Sequence, residues 1–297
     1  MTKNFFEFVR SGINTTLQDN GRGNLYHIGI PFSGAMDKRN YLIANYLVGK
    51  KNNEPAIEFA YQGPLLKFNG DKVIFAITGD VNFDIIRKNS SVEKGSCYQT
   101  YKLLNGDQID ILSTNKSVYG YLSINSNFEA ENFFGSCSIN TKAMLGANSG
   151  KKYENGNKIF FKKLEKEIHR KINYTNLKIE KLRVLKATNF DYFDEESKKD
   201  FFDQSFKVSK LSDRMGMRLE GKKLENKIST NIKSEGLIKG VIQVPADGNP
   251  IIMLSDHGTI GGYPKIAVII SADYDKLVQF QPGSYIKFES VKISEAE

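Results

Sequence analysis

The chain has 297 residues, 40% of them hydrophobic, 11% aromatic and 26% charged, a composition that fits a packed globular protein and excludes a disordered or fibrous one. At this length two domains are expected rather than one. The net charge of +8 is spread over scattered lysines and suits an anionic ligand or an acidic partner; with few arginines and no RNP-like or Cys/His finger pattern, no nucleic-acid partner is expected.

The amino-terminal stretch MTKNFFEFVRSGINTT lacks the apolar core of a secretory signal, and no run approaches the roughly 20 apolar residues of a membrane span. A cytoplasmic protein with no membrane partner is expected. Next come TTLQDNGRG and GIPFSGAMDKRNYLIANYLVG, which supply Gln18, Asp19, Arg22, Ser33, Asp37 and Asn45. Singly, each is explained by structure: Ser33 or Asp37 caps a helix, and Asp19 makes a turn with Gly21. Together they resemble one wall of a polar site. The helix that follows is expected to set Leu42, Ile43, Tyr46 and Leu47 on one face and to stop at Gly49.

Short β-type runs bounded by turn residues then recur: KVIFAITG, QIDILS, SVYGYLSI, VIQVP, PIIMLS, KIAVIIS and SYIKFESV. The fold class is mainly β with a few short helices. Cys97 and Cys137 read as buried reduced thiols. GANSGKK, Gly146 to Lys152, falls short of a phosphate loop, because it has one residue too few between its glycines and lacks the closing Ser or Thr. The charged run Lys162 to Leu182 interrupts the strand rhythm and is the expected junction between a domain over residues 1–172 and another over 173–297. Helices are expected at DEESKKDFFDQ, Asp194 to Gln204, and at SADYDKLVQF with Ser271 as cap.

In the second half, LSDRMGMRLEG pairs Asp213 with Arg214, whose planar fork grips a carboxylate or phosphate in two places. SEGLIKGVIQVP brings Glu235 and Gln243. By strand alternation Gln243 points away from Ile242 and Val244, so it faces solvent or lines a cleft. SDHGTIGGYPK then places Asp256, Thr259, Tyr263 and Lys265 around Gly258, Gly261 and Gly262. These glycines allow positive φ and a close ligand approach, and consecutive N–H groups there can form an anion nest. His257 has no matching histidine spacing, so no metal is expected.

A repeat is also visible. Setting Glu58 on Glu235 superposes Gly63 on Gly240, VIFAIT on PIIMLS, and Gly106 with Ile109 on Gly283 with Ile286; with a short gap SGAM falls on SDRM. A duplicated β-rich unit is best closed as a barrel, which removes exposed sheet edges. Two such barrels would leave a cleft between them as the default small-molecule site.

GINTTLQDNGR, GIPFSGAMD, AIEF and GP, followed by SDRMGMRLEG, IQVP, DGNPI and GGYPKIA, resemble the biotin-dependent carboxyltransferase family over nearly the whole chain. That family includes the 5-oxoprolinase C subunit, KipA-type antagonists of a kinase inhibitor, the second allophanate hydrolase subunit and the carboxyltransferase part of urea carboxylase. The resemblance implies two tandem cyclophilin-like β-barrel domains. It also implies a component of an ATP-hydrolysing 5-oxoprolinase, which opens 5-oxoproline to L-glutamate with a KipI-like B subunit and a LamB/YcsF-like A subunit, ATP arriving with magnesium.

Carried over by motif, the implied catalytic residues are Arg214, Glu235, Asp256, Tyr263 and Lys265. The implied substrate-binding residues are Gln18, Asp19, Arg22, Ser33, Asp37, Glu58, Asp213, Gln243, Thr259, Gly261 and Gly262. The sequence departs from the family where YLSINSN replaces a strand followed by paired glycines, where GANSGKK replaces GGxxGR, and where HGTIGG replaces QTTGG. In the implied mechanism Arg214 and Lys265 hold anionic groups, Asp256 or Glu235 handles a proton or a metal-bound phosphate, and Tyr263 with the loop N–H groups steadies an oxyanion. Two rival functions fit the same resemblance: biotin-dependent carboxyl transfer to urea or a related amide, with biotin as cofactor, and a non-catalytic KipA-like regulator that binds a KipI-like partner.

Overall fold

The computed structural model describes residues 3–51, 53–162, 167–174, 180–228 and 231–296. The chain divides into two compact units, Met1–Arg22 with Ser33–Asn176, and Gly23–Phe32 with Leu177–Glu297. The segment Gly23–Phe32 thus belongs to the second unit although it lies early in the chain. Within the charged run Lys162 to Leu182, residues 163–166 and 175–179 lie outside the described residues.

The protein is mostly β. In the first unit a six-stranded sheet runs in the order Lys158–Phe161, Asn4–Arg10, Leu65–Asn69, Gln108–Thr114, Val81–Ile86 and Val92–Lys94. A five-stranded sheet runs Asn14–Gln18, Ala56–Ala60, Tyr119–Ile124, Lys72–Thr78 and Thr100–Leu104. Alternate side chains of both sheets meet in one core, with Phe6, Phe8, Ile57, Phe59, Phe68, Phe75, Ile77 and Phe83 essentially inaccessible. The alternation sends the intervening residues of the five-stranded sheet to its other face. There Thr16, Glu58, Tyr121 and Thr78 stand in register across four strands.

Helix α1, Lys38–Leu47, is capped by Asp37, whose carboxylate accepts from the Asn40 N–H, and it is followed by Gly49 at φ +73°. Its buried residues are Asn40, Tyr41, Ala44, Asn45 and Leu47, whereas Tyr46 is exposed, so the expected face of Leu42, Ile43, Tyr46 and Leu47 is corrected. The face turns inward because Asn40 and Asn45 find side-chain partners there: the Asn40 Oδ1 accepts from the Tyr98 hydroxyl, and the Asn45 amide donates to the Glu54 carbonyl.

In the second unit eight strands run Tyr285–Ile286, Phe206–Val208, Gly216–Glu220, Ile251–Met253, Val241–Gln243, Lys265–Ile269, Leu182–Lys186 and Phe288–Ser290. The two edge strands are separated in sequence by Lys287 alone, so the sheet curls round until its edges nearly meet. That is a nearly closed barrel. Helix α2, Glu195–Asp203, falls within the expected Asp194 to Gln204, and Asp194 caps it by accepting from the Ser197 N–H. Helix α3, Ser271–Leu277, has Ile270 at the cap position with no side-chain bond, so Ser271 is its first residue rather than its cap. A two-stranded ribbon joins Glu235–Gly236 to Ile260–Gly261.

All seven β-type runs read from the sequence contain strand. The segments matched by the internal repeat are paired differently, however. Lys72–Thr78 lies between Tyr119–Ile124 and Thr100–Leu104, whereas Ile251–Met253 lies between Gly216–Glu220 and Val241–Gln243.

Candidate functional site

The first unit gathers its polar residues into two buried networks. In one, the Glu58 carboxylate accepts from the Met36 N–H at 2.8 Å and from the Tyr121 hydroxyl at 2.7 Å. That hydroxyl in turn accepts from the Asp37 N–H at 2.7 Å, and Asp37 holds the Asn40 side chain at 2.6 Å. Burial, with Glu58 and Asp37 nearby, pushes the Tyr121 phenol well above its ordinary pKa, so it stays a donor.

In the other network Asp19 accepts from the Gly21 N–H, the Ser136 and Ser138 hydroxyls and the Cys137 N–H, at 2.5 to 2.8 Å. Arg22 donates to the Ser138 carbonyl at 2.5 Å and lies 5.9 Å from the Phe133 ring centroid. Gln18 donates to the Ile139 carbonyl, and Ser33, at φ 58°, accepts from Asn140. Asp19 and Asp37 therefore do turn and cap work while also joining larger networks. Sequence reasoning missed Asn40, Tyr121, Ser136, Ser138 and Asn140. Tyr121 alone carried a signal, since it falls on the polar side of an alternating strand.

In the second unit the strands Gly216–Glu220 and Ile251–Met253 pair antiparallel, and the ladder continues past their ends through the bond from the Asp256 N–H to the Arg214 carbonyl. This register sets the two side chains face to face. Arg214 Nε lies 2.7 Å from Asp256 Oδ2 and Nη2 lies 3.1 Å from Oδ1, both residues being buried. The fork expected to hold a ligand anion is thus engaged by a protein carboxylate.

A second ion pair joins Lys265 to Glu235. The lysine side chain is 7% exposed and the glutamate 47%, so the carboxylate faces outward from a buried amine. The Lys265 N–H is held by the side chain of Asn189, another residue the sequence did not reveal.

Gln243 is buried, which corrects the solvent-facing option. A bulge between Ile242 and Gln243 shifts its register against Lys265, and its amide donates to the Tyr263 carbonyl at 3.0 Å. Tyr263 itself is 40% exposed. Thr259 is buried, and its carbonyl accepts from the Leu237 N–H. Asp213 is exposed and bonds the Met215 and Gly216 N–H groups in a local turn, apart from these pairs.

Gly258, Gly261 and Gly262 do not adopt positive φ, contrary to expectation. The two paired glycines are explained by close approach instead. A Cβ on Gly261 would lie 2.8 Å from the Gln243 amide nitrogen, and one on Gly262 would lie 3.1 Å from the Ile232 carbonyl.

His257, read as an isolated imidazole, is also engaged. Its Nδ1 lies 2.6 Å from the Gly258 carbonyl, which can only accept, so Nδ1 carries the proton and Nε2 accepts from the Tyr26 hydroxyl at 3.2 Å. Burial holds its pKa below the ordinary value.

Cys97 and Cys137 are free but half-buried rather than buried, and burial pushes each thiol up to about 11. GANSGKK forms a short turn whose amides at Gly150 and Lys151 are spent on the carbonyls of Ala147 and Asn148. Among the described residues no group of three or more His, Cys, Asp or Glu gathers to hold a metal, and no helix is long and apolar enough to cross a membrane.

The chain is 32% identical to the 5-oxoprolinase C subunit of Haemophilus influenzae over 282 residues, covering 95% of this chain and 89% of that protein. It is 30% identical to the 5-oxoprolinase C subunit of Escherichia coli over 297 residues, covering 98% and 92%. The crystal structure of Kluyveromyces lactis urea carboxylase superposes on all of this chain with a TM-score of 0.90 at 26% identity, the match spanning 28% of that longer chain. Residues 28–290 match the carboxyltransferase domain, subdomain A and B, and the chain belongs to that family.

Proposed function

We propose that this chain is the C subunit of an ATP-dependent 5-oxoprolinase, which opens the lactam of 5-oxoproline to L-glutamate together with an A and a B subunit. The names of two bacterial relatives that match over nearly their whole length support this reading. The observation that carries it on this chain is the Lys265–Glu235 pair, a buried amine presenting a half-exposed carboxylate, with Tyr263 two residues before the lysine in the chain.

An unstrained lactam resists hydrolysis until its carbonyl oxygen is activated, and ATP supplies that activation by phosphoryl transfer. The residues then have placement and proton handling to do. Glu235 takes the proton from the attacking water, and Lys265 orients Glu235 and attracts the substrate carboxylate. The Tyr263 hydroxyl faces the oxyanion. Arg214 and Asp256 brace the start of the loop that carries Tyr263. With no carboxylate cage among the described residues, magnesium would arrive on the nucleotide phosphates, and no step here runs through a protein-held ion.

Mixing this chain with the A and B subunits tests the reading. ATP hydrolysis that depends on 5-oxoproline and yields glutamate in equal amount is expected. Absence of glutamate with all three subunits present overturns it.

A second reading is biotin-dependent carboxyl transfer to urea or a related amide, favoured by the likeness of this whole chain to a segment spanning 28% of urea carboxylase. A partner would have to supply carboxybiotin. Transfer of labelled carboxyl from carboxybiotin to urea on this chain would establish it, and failure of carboxybiotin to bind would remove it.

A further inference from the structure

The first unit holds a cavity of about 390 Å³ at the carboxyl end of α1, bordered by Lys50, Lys51, Glu54, Asn127 and Lys162. Among the described lining residues three lysines accompany one glutamate, so this part of the lining is cationic. The sequence builds this wall deliberately. Gly49, at φ +73°, turns the chain out of α1, and a Cβ there would collide with Ile168, which packs against it. The Ser126 hydroxyl donates to the Lys162 carbonyl at 2.6 Å, which fixes the backbone beneath that lysine. Asn125, Ser126 and Asn127 line the same cavity.

Lys50 is the residue that gives the cavity chemical character. Its amine donates to the Pro55 carbonyl at 2.9 Å and lies 4.9 Å from the Phe128 ring centroid. A cation so placed is only partly compensated, because a carbonyl and a ring face replace bulk water. Burial lowers its pKa to about 7, against the opposing pull of Glu54 and Cys137. The Cys137 thiol, itself pushed up to about 11, is neutral at neutral pH, which leaves Glu54 as the facing anion and Lys51 and Lys162 as like charges at the rim. A second anion entering the cavity restores the proton to Lys50. A ligand-sized cavity with convergent polar groups and a perturbed amine is the pattern of a binding site.

We propose that this cavity is a ligand site separate in composition from the Lys265–Glu235 pair, and that it takes a small phosphate- or carboxylate-bearing metabolite whose anionic group is held by Lys50 with Lys51 and Lys162. The inference does not rest on the 5-oxoprolinase reading and is tested without turnover.

The test is isothermal titration of the full chain with inorganic phosphate, with metal-free ATP and with L-glutamate, which separates phosphate from carboxylate recognition. One of the three is expected to bind with a stoichiometry of one and to take up a proton, seen as a heat that varies with the ionisation enthalpy of the buffer. Because the amine loses its proton as pH rises through its free value, affinity for L-glutamate, whose carboxylates stay ionised throughout, is expected to weaken from pH 7 to pH 8.

Lys50→Met and Lys162→Met should each weaken binding by about tenfold or more. Lys50→Arg, which stays charged, should keep binding and lose the pH dependence. Absence of binding by all three probes up to about 5 mM overturns the proposal. So does binding that survives both methionine substitutions. If Lys50→Met fails to fold, Lys162→Met and Lys50→Arg decide, and binding by Lys50→Arg that keeps the wild-type pH dependence contradicts the role given to Lys50.

Discussion

Arg214 grips both oxygens of the Asp256 carboxylate, at 2.7 and 3.1 Å, where both side chains are buried. Neither partner can be removed cheaply, because the charge left behind keeps its desolvation cost and loses its compensation. Asp256→Asn should therefore destabilise the fold by about 3–5 kcal/mol. The apolar double variant Arg214→Met, Asp256→Leu should recover a large part of that loss. Urea denaturation of the three proteins checks this. A single variant as stable as wild type would show the pair to be dispensable.

Tyr121 stands between the Asp37 N–H and the Glu58 carboxylate, accepting from one and donating to the other. Tyr121→Phe keeps the ring and deletes both bonds, which should cost about 1–3 kcal/mol by leaving buried polar groups short of a partner. Asp37→Ala removes the α1 cap and should cost about 1 kcal/mol or slightly more. Because both residues belong to one network, the double variant should lose less than the two costs added together, and a double-mutant cycle reads that coupling.

His257 predicts a pH dependence with a definite sign. Burial sets its folded pKa below the ordinary 6.5, so beneath that pH the unfolded chain binds a proton that the folded protein resists. Stability should be full above the ordinary value and drain away as the pH falls below it. The charged groups acting on the ring are Asp256 and Lys239. Thermal melts between about pH 5 and pH 8 check the trend, and His257→Gln should flatten it. An unchanged slope in that variant would assign the trend to other groups.

Gly261 is kept small by its neighbours rather than by its backbone angles. In Gly261→Ala the new methyl would meet the Gln243 amide and Leu237 Cδ1, each at 2.8 Å. The expected cost is about 1–3 kcal/mol, with Gln243 displaced from the Tyr263 carbonyl. Hydrogen exchange across residues 256–263 should report the loosened loop.

The parts of this protein written in local pattern were legible from its sequence. Alternation and turn residues revealed the strands, and Asp37 announced its helix because capping is a local interaction. What failed was set by long-range partners. The inner face of α1 carries Asn40 and Asn45 because the Tyr98 hydroxyl and the Glu54 carbonyl await them, which no apolar periodicity reveals.

Arg214 read as an anion grip because its type suits that task, but its partner Asp256 arrives through a strand register distant in sequence. The glycines of the Gly258 to Gly262 loop suggested unusual backbone angles, whereas crowding by Gln243 and Ile232 is what two of them answer. Ser136, Ser138 and Asn189 had no local signal at all, since each acts only through the chain it meets in the fold.

The most direct measurement is turnover of 5-oxoproline by Glu235→Gln in the complex with the A and B subunits. Glu235 is half exposed and glutamine keeps an acceptor for the Lys265 amine, but that buried amine loses its counter-charge, so folding and assembly of the variant are measured alongside turnover. With the proton acceptor gone, kcat is expected to fall by about 100-fold or more. A Glu235→Gln enzyme that assembles normally and retains kcat within about twofold of wild type would contradict the role assigned to this carboxylate.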